Sequence, residues 1–173
     1  ITLLGVLAHS VNLLTGRGFG PQIGIAVLSA AGLSSILGRI ISGYFLDRID
    51  SPRVSLIFFV APLAATLLLQ YGGAPSVVIV GGIVLGLGLG AEGEIVSYFI
   101  SRYFGLRSLA EIYSYTYGIF VIGAGMGPFM FGASFDATHS YDRILLIAEI
   151  GMAVSIVLMS LLGSYAFPAT RKA

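Results

Sequence analysis

Cysteine is absent from the 173 residues, which removes disulfides, thiol catalysis and Cys-ligated metals at once. Histidine is scarce, at two, so a metal site has little to build from. No H-E-x-x-H, G-x-S-x-G or P-loop sequence occurs, and no metal or cofactor is expected. Charge is scarce as well, at 10% of residues against about 25% in soluble domains. The net charge of +1 comes with no basic run or aromatic–basic stripe, so nucleic acid is not an expected partner. What remains is apolar: 57% of the chain. A chain of this size leaves much of its surface in contact with solvent. That solvent is therefore expected to be mostly the lipid bilayer.

A spanning helix needs about 20 mostly apolar residues. The sequence offers one short stub, Ile1 to Leu14, and five full candidates. These run roughly Gln22–Leu46, Val54–Tyr71, Ser76–Ile100, Leu109–Phe135 and Arg143–Phe167. Between them lie short breakers: Gly16, Gly18, Gly20 and Pro21; Asp50, Ser51 and Pro52; Gly72, Gly73 and Pro75. The apolar runs are too long and too continuous for strands. The chain opens on Ile1 without the charged start or cleavage site of a signal peptide. It reads as a piece of a longer protein that begins inside a helix. Lys and Arg set the orientation. Arg48, Arg53, Arg102, Arg107, Arg171 and Lys172 fall on one side by parity, whereas Arg17 and Arg143 fall on the other. The first side, with the C-terminus, is expected to be cytoplasmic.

Glycine is abundant, at 24 residues, and stripes the fourth and fifth spans. In lipid, small residues let helix backbones approach closely, so packing is their main expected use. Gly38, Gly43, Asp47 and Ser51 match Gly127, Gly132, Asp136 and Ser140 at one constant offset. Each set closes the second helix of a three-helix unit, and parity puts the two Asp residues on opposite faces. This is the pattern of an inverted-topology repeat, a construction many secondary transporters use. The repeats cover about 1–74 and 75–173.

These residues carry a resemblance. "GRIISGYFLDRIDSPR" resembles the loop motif of the major facilitator superfamily, with Gly43, Asp47 and Arg48 in place and Arg53 one position late. "GAGMGPFMFG", with Gly123, Gly127 and Pro128, looks like that superfamily's Gly-Pro packing motif. "GLGLGAEGEIVSYFISRYFGLRS" and "FGASFDATHSYD" resemble bacterial members close to the monocarboxylate porters and the oxalate/formate antiporters. The resemblance implies an all-α membrane protein: residues 1–173 would supply helices 7–12, the first cut short, of a twelve-helix transporter in the inner membrane. The missing N-terminal six-helix half would be its partner. The implied function is secondary transport of a small solute, an organic anion such as a monocarboxylate, by alternating access. The alternatives are a permease for a drug, sugar or amino acid, and a half-transporter scaffold that is inactive alone. An enzyme is not expected, because no nucleophile–base or metal constellation is visible.

Arg39 is the pivotal residue. It lies about 12 Å along its helix from Asp47, and an Arg at such depth should face a cavity or a partner. In the relatives resembled, an Arg one turn before the motif Gly engages the substrate carboxylate, and Arg39 stands so before Gly43. The other reading is an ion pair with Glu92 or Glu94, which lie at a similar depth. The relatives' Asp one turn before the Arg is Ser35 here, which puts proton coupling at that position in doubt. The second cation of the oxalate type is missing from the fifth span, which suits a monocarboxylate. Glu92 and Glu94 point about 200° apart on a helix. They are the proton-coupling candidates: one facing the cavity, the other locking the loop near Arg48 or Arg102. His9 and Tyr117 are further candidates for the substrate site, each weighed against plain packing. Asp47, Arg48 and Arg53, with Gly43, read either as a gating latch or as ordinary helix-end anchors. "GLGAEG", Gly88 to Gly93, fits a dinucleotide pattern but lies inside a span and is discounted.

Overall fold

A computed structural model describes residues 2–49 and 52–167. Asp50 and Ser51 of the second loop, and Arg171 and Lys172 of the tail, lie outside the described residues. The described residues form six α-helices: α1 (Thr2–Gly16), α2 (Pro21–Arg48), α3 (Leu56–Tyr71), α4 (Pro75–Phe104), α5 (Leu109–Thr138) and α6 (Asp142–Ser160). Five are long and apolar enough to cross a membrane; α1 is the shorter apolar one. Proline opens α2 and α4 at the first turn, where its missing N–H costs nothing. Gly18 and Gly105 end their elements with φ of 87° and 81°, a region open to glycine and strained for other residues.

The fourth span runs four residues beyond the expected end at Ile100, to Phe104. The sixth span departs the other way. It was expected to reach Phe167, but α6 stops at Ser160. Residues 161–167 are apolar enough to read as helix, yet they fold back onto the end of α4. There the Arg102 Nη1 donates to the Phe167 carbonyl at 3.0 Å, and the Phe167 N–H donates to the Arg102 carbonyl at 2.9 Å. The Tyr103 hydroxyl donates to the Gly163 carbonyl at 2.6 Å. These bonds satisfy backbone groups that a helix would otherwise have used.

Helix α4 is the hub. Its glycines open two faces. A Cβ on Gly82, Gly86 or Gly90 would collide with the α2 backbone at Val27, Ala31 and Ser35. A Cβ on Gly88 would stand 2.6 Å from the Pro62 ring of α3. Gly38 returns the favour from α2, against the Leu87 backbone. The Ser34 hydroxyl adds a polar tie to the Ile83 carbonyl at 2.9 Å. On the other side of the bundle α1 packs on α5, where a Cβ on Gly5 would meet the Phe131 ring at 2.5 Å and the Gly127 carbonyl at 3.2 Å. Gly123 and Gly127 of α5 are buried. One apolar core holds Val6, Leu14, Val27, Leu69, Leu85 and Phe131; a smaller one gathers Leu46, Val54, Phe58 and Ile95 near the end of α4.

Candidate functional site

A cavity of about 340 Å³ opens between α2, α4 and α5. Arg39 comes from α2, Glu92 from α4, and Tyr113, Thr116, Tyr117 and Phe120 from α5. The positions follow from helix geometry. Gly82, Gly86 and Gly90 repeat every four residues, so they share the face of α4 that touches α2. Glu94 is the next member of that series. It therefore reaches α2 as well, and its Oε1 lies 3.5 Å from the Arg39 Nε. Glu92, two residues back, is turned away from α2 and lines the cavity instead. It also lines a second cavity of about 250 Å³, toward Phe58, Pro62 and Met152. One carboxyl thus borders two spaces.

The Arg39–Glu94 contact is a single-point pair. The Arg39 side chain is 71% exposed and the Glu94 side chain 44%. Exposed pairs of this kind are weak and readily exchange partners. Glu94 was expected near Arg48 or Arg102 if it locked the loop; it instead meets Arg39, because its place in the glycine series points it at α2. The α5 wall is aromatic. Tyr113 and Tyr117 stack at 5.9 Å with 18° between planes, and Tyr117 and Phe120 at 5.8 Å with 26°. Tyr115, between them in sequence, is exposed elsewhere.

His9 is not among the residues lining this cavity. Its Nε2 lies 3.0 Å from the Pro128 carbonyl and its Nδ1 3.0 Å from the Tyr141 hydroxyl. A carbonyl only accepts, so Nε2 carries the hydrogen and, in the neutral ring, Nδ1 accepts from Tyr141. Burial raises the Tyr141 phenol above its ordinary pKa; a hydrogen bond with Asn12 opposes the rise and the Asp136 charge adds to it. The phenol therefore keeps its proton at neutral pH and stays a donor. His9 also stacks on Phe131 at 6.0 Å. These contacts join α1 to α5 and to the start of α6.

The loop motif lies at the end of α2. Asp47 and Arg48 are exposed, and the Arg48 guanidinium sits 4.5 Å over the Tyr44 ring. Arg53 is exposed in the turn Pro52–Ser55, and a Cβ on Gly43 would meet open space.

No family model, curated protein or solved structure matches this chain.

Two cations carry roles the sequence did not announce. Arg102 is buried, with its guanidinium 5.3 Å from the Tyr98 ring and 5.2 Å from the Tyr165 ring. Tyr98 stands one turn before it, but its neighbours at 165–167 are distant in sequence, and nothing local marks those. Arg17 caps α3, with Nη1 donating to the Leu69 carbonyl and Nη2 to the Gly72 carbonyl at 3.1 Å. A cation there also complements the negative end of the helix dipole. The glycines after Tyr71 mark the helix end, but not its partner.

Proposed function

We propose that this chain is the six-helix C-terminal half of a major facilitator superfamily transporter. The whole protein would carry a small organic anion, a monocarboxylate, across the inner membrane by alternating access, with its C-terminus in the cytoplasm. The observation that carries the reading is Arg39: a cation within a span long enough to cross a membrane, 71% exposed, on the wall of a cavity. A charge at bilayer depth is costly against lipid, so this face suits a polar pathway closed by a second bundle. A guanidinium is also a planar fork matched to a carboxylate. Two contacts support the inverted repeat. Gly38 lies where α2 meets α4, and Gly127 lies where α5 meets α1. Exchanging one three-helix unit for the other carries the first contact into the second.

The test is uptake by the intact protein in proteoliposomes. Arg39→Gln, at equal folded amount, is expected to abolish uptake of labelled small monocarboxylates. A folded variant that transports normally would remove the anion reading. Glu92 and Glu94 are the groups through which a pH gradient would couple, and uptake with and without such a gradient measures that. A second reading is favoured by the 3.5 Å contact with Glu94: Arg39 as a structural partner only, in a transporter of a drug, sugar or amino acid. In that case Arg39→Gln would lower the melting temperature and leave anions without effect on it.

A further inference from the structure

We infer that the anion this site takes is an aromatic monocarboxylate, its charge on Arg39 and its ring against the Tyr113–Tyr117–Phe120 wall. The inference rests on the transporter reading above and narrows its substrate.

Volume argues first. About 340 Å³ lies in the range of cavities that hold ligands with a sizeable apolar body. A two- or three-carbon acid would leave most of it as water. The lining argues next. Leu89, Val96 and Phe120 are apolar, and Arg39 and Glu92 are the basic and acidic side chains that border them. A ligand that fits has one charged end and one oily end. The wall decides the shape of the oily end. Tyr113, Tyr117 and Phe120 recur at i, i+4 and i+7, so one face of α5 carries all three. Their planes differ by only 18° and 26° at successive steps. Near-parallel rings accept a further ring by offset stacking or edge-to-face contact, which a saturated ring cannot match. The charge count fixes the last term. On this half of the site the lining offers one cation, which pairs with one carboxylate.

The test uses the intact protein in detergent micelles and calorimetric titration with benzoate, cyclohexanecarboxylate and acetate. Cyclohexanecarboxylate matches benzoate in bulk without the planar ring. Benzoate is expected to bind tighter than cyclohexanecarboxylate by about two- to tenfold, the usual worth of an aromatic pair. Tyr117→Leu is expected to shrink the benzoate-to-cyclohexanecarboxylate ratio toward one. Phe120→Leu, further along the wall, serves where the first variant does not stay monodisperse. Equal binding of benzoate and cyclohexanecarboxylate, or a ratio unmoved by both substitutions, overturns the aromatic inference and leaves the anion site standing. Failure of all three acids to bind, or binding that survives Arg39→Gln, overturns the anion site and the inference with it.

Discussion

Arg39 gives Glu94 one edge of its guanidinium, so a ligand carboxylate and Glu94 would share one positive charge. The carboxylate 3.5 Å from its Nε is already a small anion held at the site. A substrate carboxylate would meet it as a like charge beside the same cation, which would lower the affinity. Glu94→Gln is therefore expected to tighten carboxylate binding by about two- to fivefold, the worth of an exposed ion pair. In the Arg39→Gln background, where binding is expected to be lost, the same change should restore none of it in the titration. A weaker-binding, well-folded Glu94→Gln protein would instead make Glu94 part of the ligand's own contacts. At this scale the sequence was partly legible. The lone cation among apolar residues announced Arg39, and the four-residue step from Tyr113 to Tyr117 placed both on one face. The partner of Arg39 was left between Glu92 and Glu94. The deciding signal, Gly82, Gly86, Gly90 and Glu94 in one series, was present, but its meaning depends on which helix lies opposite. Arg102 was illegible, because its partners at 165–167 arrive across a fold-back.

Helix α4 shows what glycine does at the scale of an element. Three of its glycines lie against the backbone of α2, leaving no room for a methyl group. Gly86→Ala would set a Cβ onto the Ala31 carbonyl and the Ser34 hydroxyl. The expected loss is about 1–3 kcal/mol, as for other overpacked contacts. Gly118→Ala on α5 meets open space, and removing a helical glycine gains up to about 1 kcal/mol. Thermal melts of the two variants in one detergent should shift in opposite directions. A Gly86→Ala protein as stable as the parent would mean that α2 and α4 part easily. Six helices and most of their ends could be read from hydropathy and breakers. The end of α6 could not. Residues 161–167 are mostly apolar, and the hydrogen bonds offered by Arg102 and Tyr103, with Tyr165 packed on Tyr98, Phe99 and Tyr103, favour the fold-back.

The whole molecule presents two kinds of apolar surface. On α6, Leu146 and Val157 are exposed, as suits lipid. Around Arg39, exposed apolar and charged residues share one concave face, as suits a wet pathway closed by another bundle. Cysteine is absent from these 173 residues, so a single cysteine placed among them can be compared with the unsubstituted protein. In native membranes, Thr116→Cys should react with a charged, membrane-impermeant maleimide, and Leu146→Cys should not. Equal labelling of the two would contradict the division into wet and oily faces. That the chain would form helices long and apolar enough to cross a membrane was legible in composition and hydropathy. Which face is dry was not plain, because the helices are apolar nearly all round and their periodicity says little. Their packing had to supply it.

The fold-back at residues 161–167 gives the intact protein a handle. One backbone–backbone bond and the Arg102 and Tyr103 side chains tie it to the last turn of the helix that carries Glu92 and Glu94. Whatever grips that segment also grips α4. An antibody fragment raised against it would act as a brake on any motion in which α4 moves against the segment, and a fluorophore placed there would report that motion from outside the bilayer.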